Sequence, residues 1–337
     1  MTAKAQRNAT PLRIMEDLWA SWRTQALVAG IELGVFTHIA EGRRTPKDIA
    51  RAAQASERGM ERLLNALVGI AYLTKKGNRY ALQPIAREFL VRGKDSYRGD
   101  TAQTVRLVWE SWAQLTDVVR SGRPIESVDA EQRGREFFPK LVGALFPGSF
   151  AAARAAALAL PAKTRRRIKT ILDVAAGSGA WSIPFAQAFP DVRVTALDFP
   201  EVTAITKQFA RRFEVADRYD YLEGNLRELD FGRERYDLVI LGHIIHSEGA
   251  ERGQELVQKS HQALKDGGLL LIAEIIPNDT RTGPTLQLLF GLNMLLRTEH
   301  GDVFTMREYR TWLKNTGFTK ITSVPVPAPS PLILATK

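Results

Sequence analysis

The sequence predicts an α/β fold with a parallel sheet in its C-terminal half, and three observations predict it. Apolar runs at Ile171–Val174 and Val192–Leu197 have the length and continuity of strands buried on both faces. A Gly-x-Gly turn, Gly177–Gly179, lies between them and is followed by a helix-like segment. Further apolar runs at Tyr236–Gly242 and Leu269–Glu274 are separated by a helical pattern. This alternation is typical of a Rossmann-like domain with a doubly wound sheet.

The turn after the first of these strands is a candidate ligand site. Its glycines allow close approach of the backbone, and Asp198, at the end of the second strand, can accept from ribose hydroxyls. A dinucleotide fingerprint needs a third glycine where this chain has Ser182. Asp173 lies inside the first strand, where a negative charge does not help to bind a pyrophosphate. A cationic cofactor gains from that charge, so the pattern favours S-adenosylmethionine (SAM) over an ordinary strand–turn–helix with a solvated aspartate.

Length and composition exclude several function classes. A chain of 337 residues with 45% hydrophobic residues suggests two domains with filled cores. The absence of cysteine excludes disulfides, thiolate metal sites and cysteine nucleophiles. The polar start, Met1–Pro11, predicts no secretory signal, and no membrane span of about 18–20 apolar residues is expected. We therefore expect a cytoplasmic protein. Its net charge of +10 fits nucleic acid, an acidic substrate or a solubility bias.

The first hundred residues predict a mainly α, winged-helix domain. Helical spacing, N-cap signals and a short pair of strands occur in this order: Leu12–Ala29, Thr45–Ala50, Ser56–Ile70, Leu73–Thr74 and Tyr80–Leu82. Such a unit serves either to bind DNA or to dimerise. Trp19 and Trp22 on the first helix favour packing against a partner.

The middle of the chain is helical and rich in aromatic residues. Most of these side chains are expected in the core, and some could line a pocket for a flat substrate, because such cavities are mainly apolar. The candidate pocket residues are Trp109 and Phe146, together with Met294 further along the chain. The predicted domains are residues 1–100 (winged helix), 101–164 (helical connector lining the pocket) and 165–337 (cofactor-binding domain).

Several motifs give the chain a resemblance to a known family over nearly its whole length. They are the glycine-rich stretch followed in order by Asp198–Val202, Gly224–Leu226, Leu241–His246 and Lys265–Pro277. The chain resembles SAM-dependent small-molecule O-methyltransferases, typified by plant caffeate and flavonoid enzymes and by bacterial natural-product methyltransferases. The resemblance implies a class I methyltransferase fold behind a winged-helix dimerisation domain, SAM as cofactor, and a homodimer acting on a small-molecule substrate.

The same resemblance implies roles for individual residues. His246 takes the position of the catalytic base, and Glu274 orients its imidazole. Asp198 holds the ribose, while Phe199 and Leu226 sandwich the adenine. The cofactor-binding candidates are Asp173, Gly177, Gly179, Asp198, Phe199, Asn225, Leu226 and Gly242, and His243 joins Trp109, Phe146 and Met294 as a substrate candidate. No metal is expected.

Three positions depart from the family pattern. Val303 stands where the family has a second carboxylate beside the base, although Glu299 and Asp302 are close in sequence. Gly242 replaces a lysine common in plant members, and Asn225 replaces an acid that contacts adenine. These differences leave C- or N-methylation open as alternatives to O-methylation. A further alternative is a winged-helix DNA-binding regulator with a SAM-type ligand site, although no nucleic-acid or membrane partner is favoured.

Overall fold

The computed structural model describes residues 11–94, 96–128 and 131–337 and divides the chain into two compact units, Met1–Val105 and Arg106–Lys337. Residues 1–10, on which most of the expectation of no secretory signal rests, lie outside the described part. The domain boundaries predicted at residues 100 and 164 stay predictions.

The first unit is helical with one small sheet. Its elements are α1 (Pro11–Leu18), α2 (Ala20–Glu32), α3 (Val35–Ala40), α4 (Pro46–Ala52), α5 (Glu57–Gly69), β1 (Leu73–Lys76), β2 (Arg79–Leu82) and α6 (Pro84–Phe89). The strands pair antiparallel. The expected caps are present, since Thr45 Oγ1 accepts from the Asp48 amide and Ser56 Oγ from the Gly59 amide. The predicted order of helices followed by a two-stranded wing is confirmed.

The first predicted helix is in fact two helices. The prediction of a single helix over Leu12–Ala29 is wrong because Trp19, with φ −92° and ψ 2°, leaves the helical range between α1 and α2. The rings of Trp19 and Trp22 stack with centroids 5.2 Å apart, and the side chain of Trp22 is 65% exposed. Leu12, Ile14 and Leu18 of α1 are also exposed. Together these side chains form an apolar face, which we call the α1–α2 face.

The second unit has the predicted Rossmann-like architecture. Its elements begin with α7 (Thr101–Ala113), which crosses the unit boundary, and continue with α8 (Leu115–Ser121), α9 (Glu131–Ala159), α10 (Ala162–Arg167), β3 (Thr170–Val174), α11 (Ile183–Ala188), β4 (Arg193–Asp198), α12 (Pro200–Arg212), a 3₁₀ turn (Ala216–Arg218), β5 (Tyr219–Glu223), β6 (Tyr236–Gly242), α13 (Ile245–Ala263), β7 (Leu264–Ala273), α14 (Thr285–Arg297), α15 (Met306–Thr316), β8 (Thr319–Val324) and β9 (Leu332–Thr336). The seven strands lie in the order β5-β4-β3-β6-β7-β9-β8. Strands β3 to β7 are parallel, and β9 is antiparallel to β7 and β8.

The core lies on both faces of this sheet. Ile171 and Leu172 are adjacent on β3 and fully buried, but they belong to different apolar clusters because successive side chains point to opposite faces. This double burial explains why the strands are continuous apolar runs in the sequence.

Helix α9 departs from the sequence-based expectation about membranes. Among the described residues it is the one helix long and apolar enough to cross a membrane, judged by length and composition alone. A stretch of this kind was not expected. Its C-terminal half packs in the core through Ala152, Ala153 and Ala156.

Candidate active site

The carboxyl ends of four parallel strands bring most of the predicted site residues to one edge of the sheet. Gly177 follows β3, Asp198 ends β4, His243 follows β6 and Glu274 follows β7. His246 lies in the first turn of α13, directly after β6. This edge is where open α/β sheets bind their ligands.

The glycine turn and the end of β4 are joined by hydrogen bonds. The turn needs its glycines because Gly177 and Gly179 have φ of 58° and 73°, a left-handed conformation that disfavours side chains. The amide of Gly177 donates to Asp198 Oδ2 at 2.8 Å, and the amide of Phe199 donates to Asp198 Oδ1 at 2.8 Å. Asp198 therefore organises the turn from the neighbouring strand.

Asp173 is a buried carboxyl group that lacks a full set of partners. It is 1% exposed, and its Oδ2 has no hydrogen-bond partner among the described residues. Burial raises the pKa of Asp173 to about 7, with hydrogen bonding to Ser182 opposing and the charge of Asp198 adding to the rise. Burial likewise raises the pKa of Asp198 to about 6. Two desolvated carboxyl groups, one with an unused oxygen, fit a cationic ligand such as SAM.

Ser182 has a role that the motif comparison missed. The sequence marked it only as the position where a dinucleotide fingerprint fails. In the structure it supports Asp173 and accepts a hydrogen bond from the hydroxyl of Tyr219 at 3.0 Å. Position in the motif was the only signal available for it, because Tyr219 comes from β5.

We expect Asp173→Asn to stabilise the ligand-free protein more near pH 8 than near pH 5. The folded pKa of about 7 lies above the usual aspartate value of 3.8, so the wild-type loses stability as pH rises between these two values. Asparagine cannot ionise and avoids this loss, which amounts to at most about 4 kcal/mol. Urea denaturation at the two pH values measures it, with the exposed Asp217→Asn as control. An equal effect at both pH values would contradict the prediction.

His246 and Glu274 form a buried pair. Nδ1 of His246 lies 2.6 Å from Oε2 of Glu274, while Oε1 of Glu274 accepts from the amides of Ile245 and His246 at 2.8 and 3.3 Å. Burial opposes ionisation of Glu274, but the charge and hydrogen bonds of His246 outweigh it and hold the pKa of Glu274 below its usual value. Because an ionised carboxylate only accepts, the proton of a neutral His246 lies on Nδ1, which leaves Nε2 as an acceptor.

Aromatic rings surround this pair, and sequence reasoning missed two of them. The ring of Phe290 meets His246 edge-on at 4.9 Å, and Trp181 lies 5.5 Å from the ring of His243. His243 is 6.0 Å from His246, and burial lowers its pKa to about 4, so its imidazole is neutral. Phe290 lies one helical turn before Met294 on α14, and that spacing was the available signal.

Trp181 also explains why Gly242 stands where the family pattern has a lysine. A Cβ at Gly242 would lie 2.3 Å from Cδ1 of Trp181, which is buried. No side chain fits there unless the indole moves.

Accordingly, we expect Gly242→Ala to destabilise the protein by about 1–3 kcal/mol through overpacking. The matched control is Gly148→Ala in α9, where an added Cβ meets nothing within 4 Å and a helical glycine is replaced. That control should be neutral or stabilise by up to about 1 kcal/mol. Urea denaturation compares the two, and similar free energies of unfolding would show that the contact with Trp181 does not matter.

The loop after α14 contacts the backbone of the predicted base. The amide of Asp302 donates to the carbonyl of His246 at 3.0 Å, and a Cβ at Gly301 would lie 2.6 Å from that carbonyl. The carboxylate of Asp302 accepts from the Val303 amide at 2.7 Å and lies 3.9 Å from Arg281. Asp302 therefore contacts the predicted base through its backbone, and its carboxylate is engaged elsewhere. Val303 itself is buried.

The other predicted site residues lie in different parts of the second unit. Phe199 follows Asp198, and Asn225 and Leu226 follow β5, at the same edge of the sheet. Met294 is buried on α14, whereas Trp109 is 38% exposed on α7. The ring of Phe146 packs against that of Phe209 between α9 and α12, with centroids 4.2 Å apart and planes inclined by 31°. This ring belongs to the core on one face of the sheet, and the expectation that Phe146 also lines the pocket stays a prediction.

Three side chains of this site are of the types that can bind a metal ion. His243, His246 and Glu274 offer ligand atoms within 4.8 Å of one another. Both oxygens of Glu274 are, however, already engaged by His246 and by two backbone amides. This arrangement favours orientation of an imidazole over coordination of an ion.

Comparison with known proteins identifies two matching family models. An O-methyltransferase domain matches residues 152–319, and an O-methyltransferase dimerisation domain matches residues 15–92.

Individual proteins match along most of their length. The chain is 28% identical over 310 residues to 3-hydroxy-5-methyl-1-naphthoate 3-O-methyltransferase of Streptomyces sahachiroi, covering 91% of this chain and 89% of that protein. It is 30% identical over 325 residues to acetylserotonin O-methyltransferase of Bos taurus, covering 88% and 89%. The crystal structure of human N-acetylserotonin methyltransferase in complex with SAM is similar, with a TM-score of 0.83, 25% identity and coverage of 100% and 99%.

Proposed function

Because this chain belongs to the O-methyltransferase family, we propose that it transfers the methyl group of SAM to a hydroxyl oxygen of a small aromatic molecule. The resemblance predicted from the motifs is thereby confirmed, and SAM is the cofactor. The observation that carries the proposal is the buried His246–Glu274 pair at 2.6 Å, at the same edge of the sheet as the glycine turn.

The residues at this edge suit the parts of SAM. The turn at Gly177 and Gly179 would admit the cofactor, and the unused oxygen of Asp173 would face its positive charge. Asp198 would accept from the ribose, and Phe199 and Leu226 would hold the adenine. When bound, SAM supplies a methyl group activated by the sulfonium.

His246 would act as the general base. A phenol with a pKa near about 10 is mostly neutral at physiological pH. Nε2 of a neutral imidazole can take its proton as the oxygen attacks, and Glu274 then stabilises the imidazolium. The remaining work of the site is alignment and exclusion of water, which the buried, apolar surroundings of the pair favour.

The lining of the site favours a flat acceptor. The names of the two relatives given above describe methylation of hydroxyl groups on aromatic rings. In this chain Phe290 and Trp181 would form apolar walls, with Met294 nearby and His243 as a neutral polar group facing the acceptor. Trp109 and Phe146 stay candidates for the pocket.

We also propose a cytoplasmic homodimer formed through the first unit. The dimerisation model covers residues 15–92, which include most of the α1–α2 face. An exposed apolar surface of this kind is typical of a partner interface. No nucleic-acid or membrane partner is required for the reaction. The DNA-binding alternative is not favoured, because it gives no role to a buried His–Glu pair.

The proposal is tested by incubating the protein with SAM and matched acceptors. Naphthols, catechols and N-acylated hydroxyindoles are each compared with their methyl ethers and with amine analogues. Mass spectrometry should find a mass gain of one methylene group on hydroxylated acceptors, with an equal amount of S-adenosylhomocysteine (SAH). Methylation of the blocked ethers, or of amines alone, would instead indicate C- or N-methylation. Failure to bind SAM would overturn the proposal.

A further inference from the structure

The beginning of α9 lies over the residues that the proposed function assigns to adenine. Nδ2 of Asn225 donates to Oε2 of Glu131 at 3.2 Å. One turn along the helix, the guanidinium carbon of Arg135 is 5.5 Å from the ring centre of Phe199. Arg135 also pairs with Glu201 on α12 at 3.3 Å. Two charged residues of α9 thus contact the ends of both β4 and β5.

Further along, α9 also contacts the glycine turn. A Cβ at Gly177 would lie 3.2 Å from Cγ1 of Val142. Between Glu131 and Val142 the helix therefore spans the site from the end of β5 to the turn after β3. A ligand that occupies this site has α9 along one side.

The orientation of the Asn225 side-chain amide determines which hydrogen bonds it can offer to adenine. Oδ1 of Asn225 accepts from the amide of Arg227 at 3.1 Å, so its NH₂ group is directed to Glu131. The 6-amino group of adenine is a hydrogen-bond donor and needs an acceptor. The NH₂ group of Asn225 offers none, whereas an ionised carboxylate accepts at both oxygens.

We propose that Glu131 supplies the carboxylate that recognises the 6-amino group of the cofactor's adenine, an inference that rests on the proposed function. The acceptor then comes from α9 in place of position 225. Arg135 lies beside this carboxylate, with its Nε 3.2 Å from Oε1 of Glu131, so the two charges pair on the same face of α9. Hydrogen bonds to a charged group are stronger than neutral ones, so this contact discriminates between bases.

The experiment measures binding of two ligands that differ at this one group. SAH carries the amino group, and S-inosylhomocysteine carries a carbonyl oxygen there. Isothermal titration calorimetry on the wild-type should give a preference for SAH of about tenfold or more. In Glu131→Ala this preference should fall to about twofold or less, chiefly through weaker SAH binding.

Two further variants separate recognition from structural support. Glu136→Ala removes an exposed acid from the same helix and should leave the preference unchanged. Asn225→Asp in the Glu131→Ala background returns a carboxylate to the end of β5 and should restore the preference for SAH.

Each outcome decides the matter. If Glu131→Ala weakens the binding of both ligands equally, Glu131 only supports the helix. If it weakens the binding of neither, Glu131 has no part in binding. Either result overturns the inference. If the wild-type binds SAH without any preference over the inosine compound, the inference fails while the proposed function stands. If the wild-type binds neither ligand, the proposed function fails first and the inference fails with it.

Discussion

Replacement of His246 with alanine is expected to lower kcat by about 10²–10⁴-fold, the usual contribution of a general base. The affinity for SAM should stay within about twofold of wild-type, because the loss concerns proton transfer and not cofactor binding. The pair is buried, with 2.6 Å between Nδ1 of His246 and Oε2 of Glu274, so Glu274 keeps the imidazole in the position of the proposed base. Single-turnover methylation of a phenol, with calorimetry of SAM, measures both quantities.

The pH dependence of the variant gives an independent test of this role. Without a base the reaction needs the phenolate, whose fraction rises about tenfold per pH unit until about pH 10. The rate of His246→Ala should therefore rise with pH across this range and approach the wild-type rate at its upper end. Glu274→Gln keeps the shape of the pair but removes the charge that holds the Nδ1 proton, so its kcat should also fall.

His261→Ala, near the other end of α13 where the ring meets Phe318, serves as the control and should keep wild-type kcat. A His246→Ala enzyme with a flat pH profile would show that the imidazole does not accept the proton.

Asp198→Ala is expected to weaken SAM binding by about 100-fold or more. The carboxylate is the proposed ribose acceptor, and it also accepts from the amides of Gly177 and Phe199 at 2.8 Å each. Its loss removes a ligand contact and leaves the turn without its anchor. Calorimetry with SAM measures the change, and NADH should not bind either protein, because the turn lacks the third glycine of a dinucleotide site.

Asp220→Ala is the matched control, because this residue is also on the sheet. Its exposed ion pair with Arg193 at 3.2 Å should contribute little. Wild-type affinity for SAM in Asp198→Ala would show that this carboxylate does not contribute to cofactor binding.

The sheet could be predicted from sequence because its strands are buried on both faces. Continuous apolar residues locate β3, β4 and β6 to within about one residue. Strand β7 begins at Leu264, five residues before the predicted start at Leu269, because Lys265–Gly268 have the composition of a turn. Helices α1 and α2 were predicted as one helix because nothing in the local sequence pattern marks the break at Trp19.

The residues of the proposed site also differ in whether the sequence predicts them. Residues at strand ends, such as Asp198 and Glu274, were predictable because topology places all those ends at one edge. Glu131, the proposed contribution of α9, was not predicted. Glu131 reaches Asn225 across 94 positions of sequence, and no local pattern encodes such a contact. Aromatic composition alone does not separate a core position from a pocket position, and the ring of Phe146 packs in the core.

In the proposed site, the loop after α14 would link substrate choice to catalytic rate. The amide of Asp302 donates to the carbonyl of His246, Gly301 approaches the same carbonyl closely, and the loop continues from the helix that carries Phe290 and Met294. A substitution on α14 that shifts the helix to admit a bulkier acceptor therefore shifts the base as well. Evolution of a new acceptor through this helix should pass first through slower enzymes, and recovery of speed should require compensating changes in the loop.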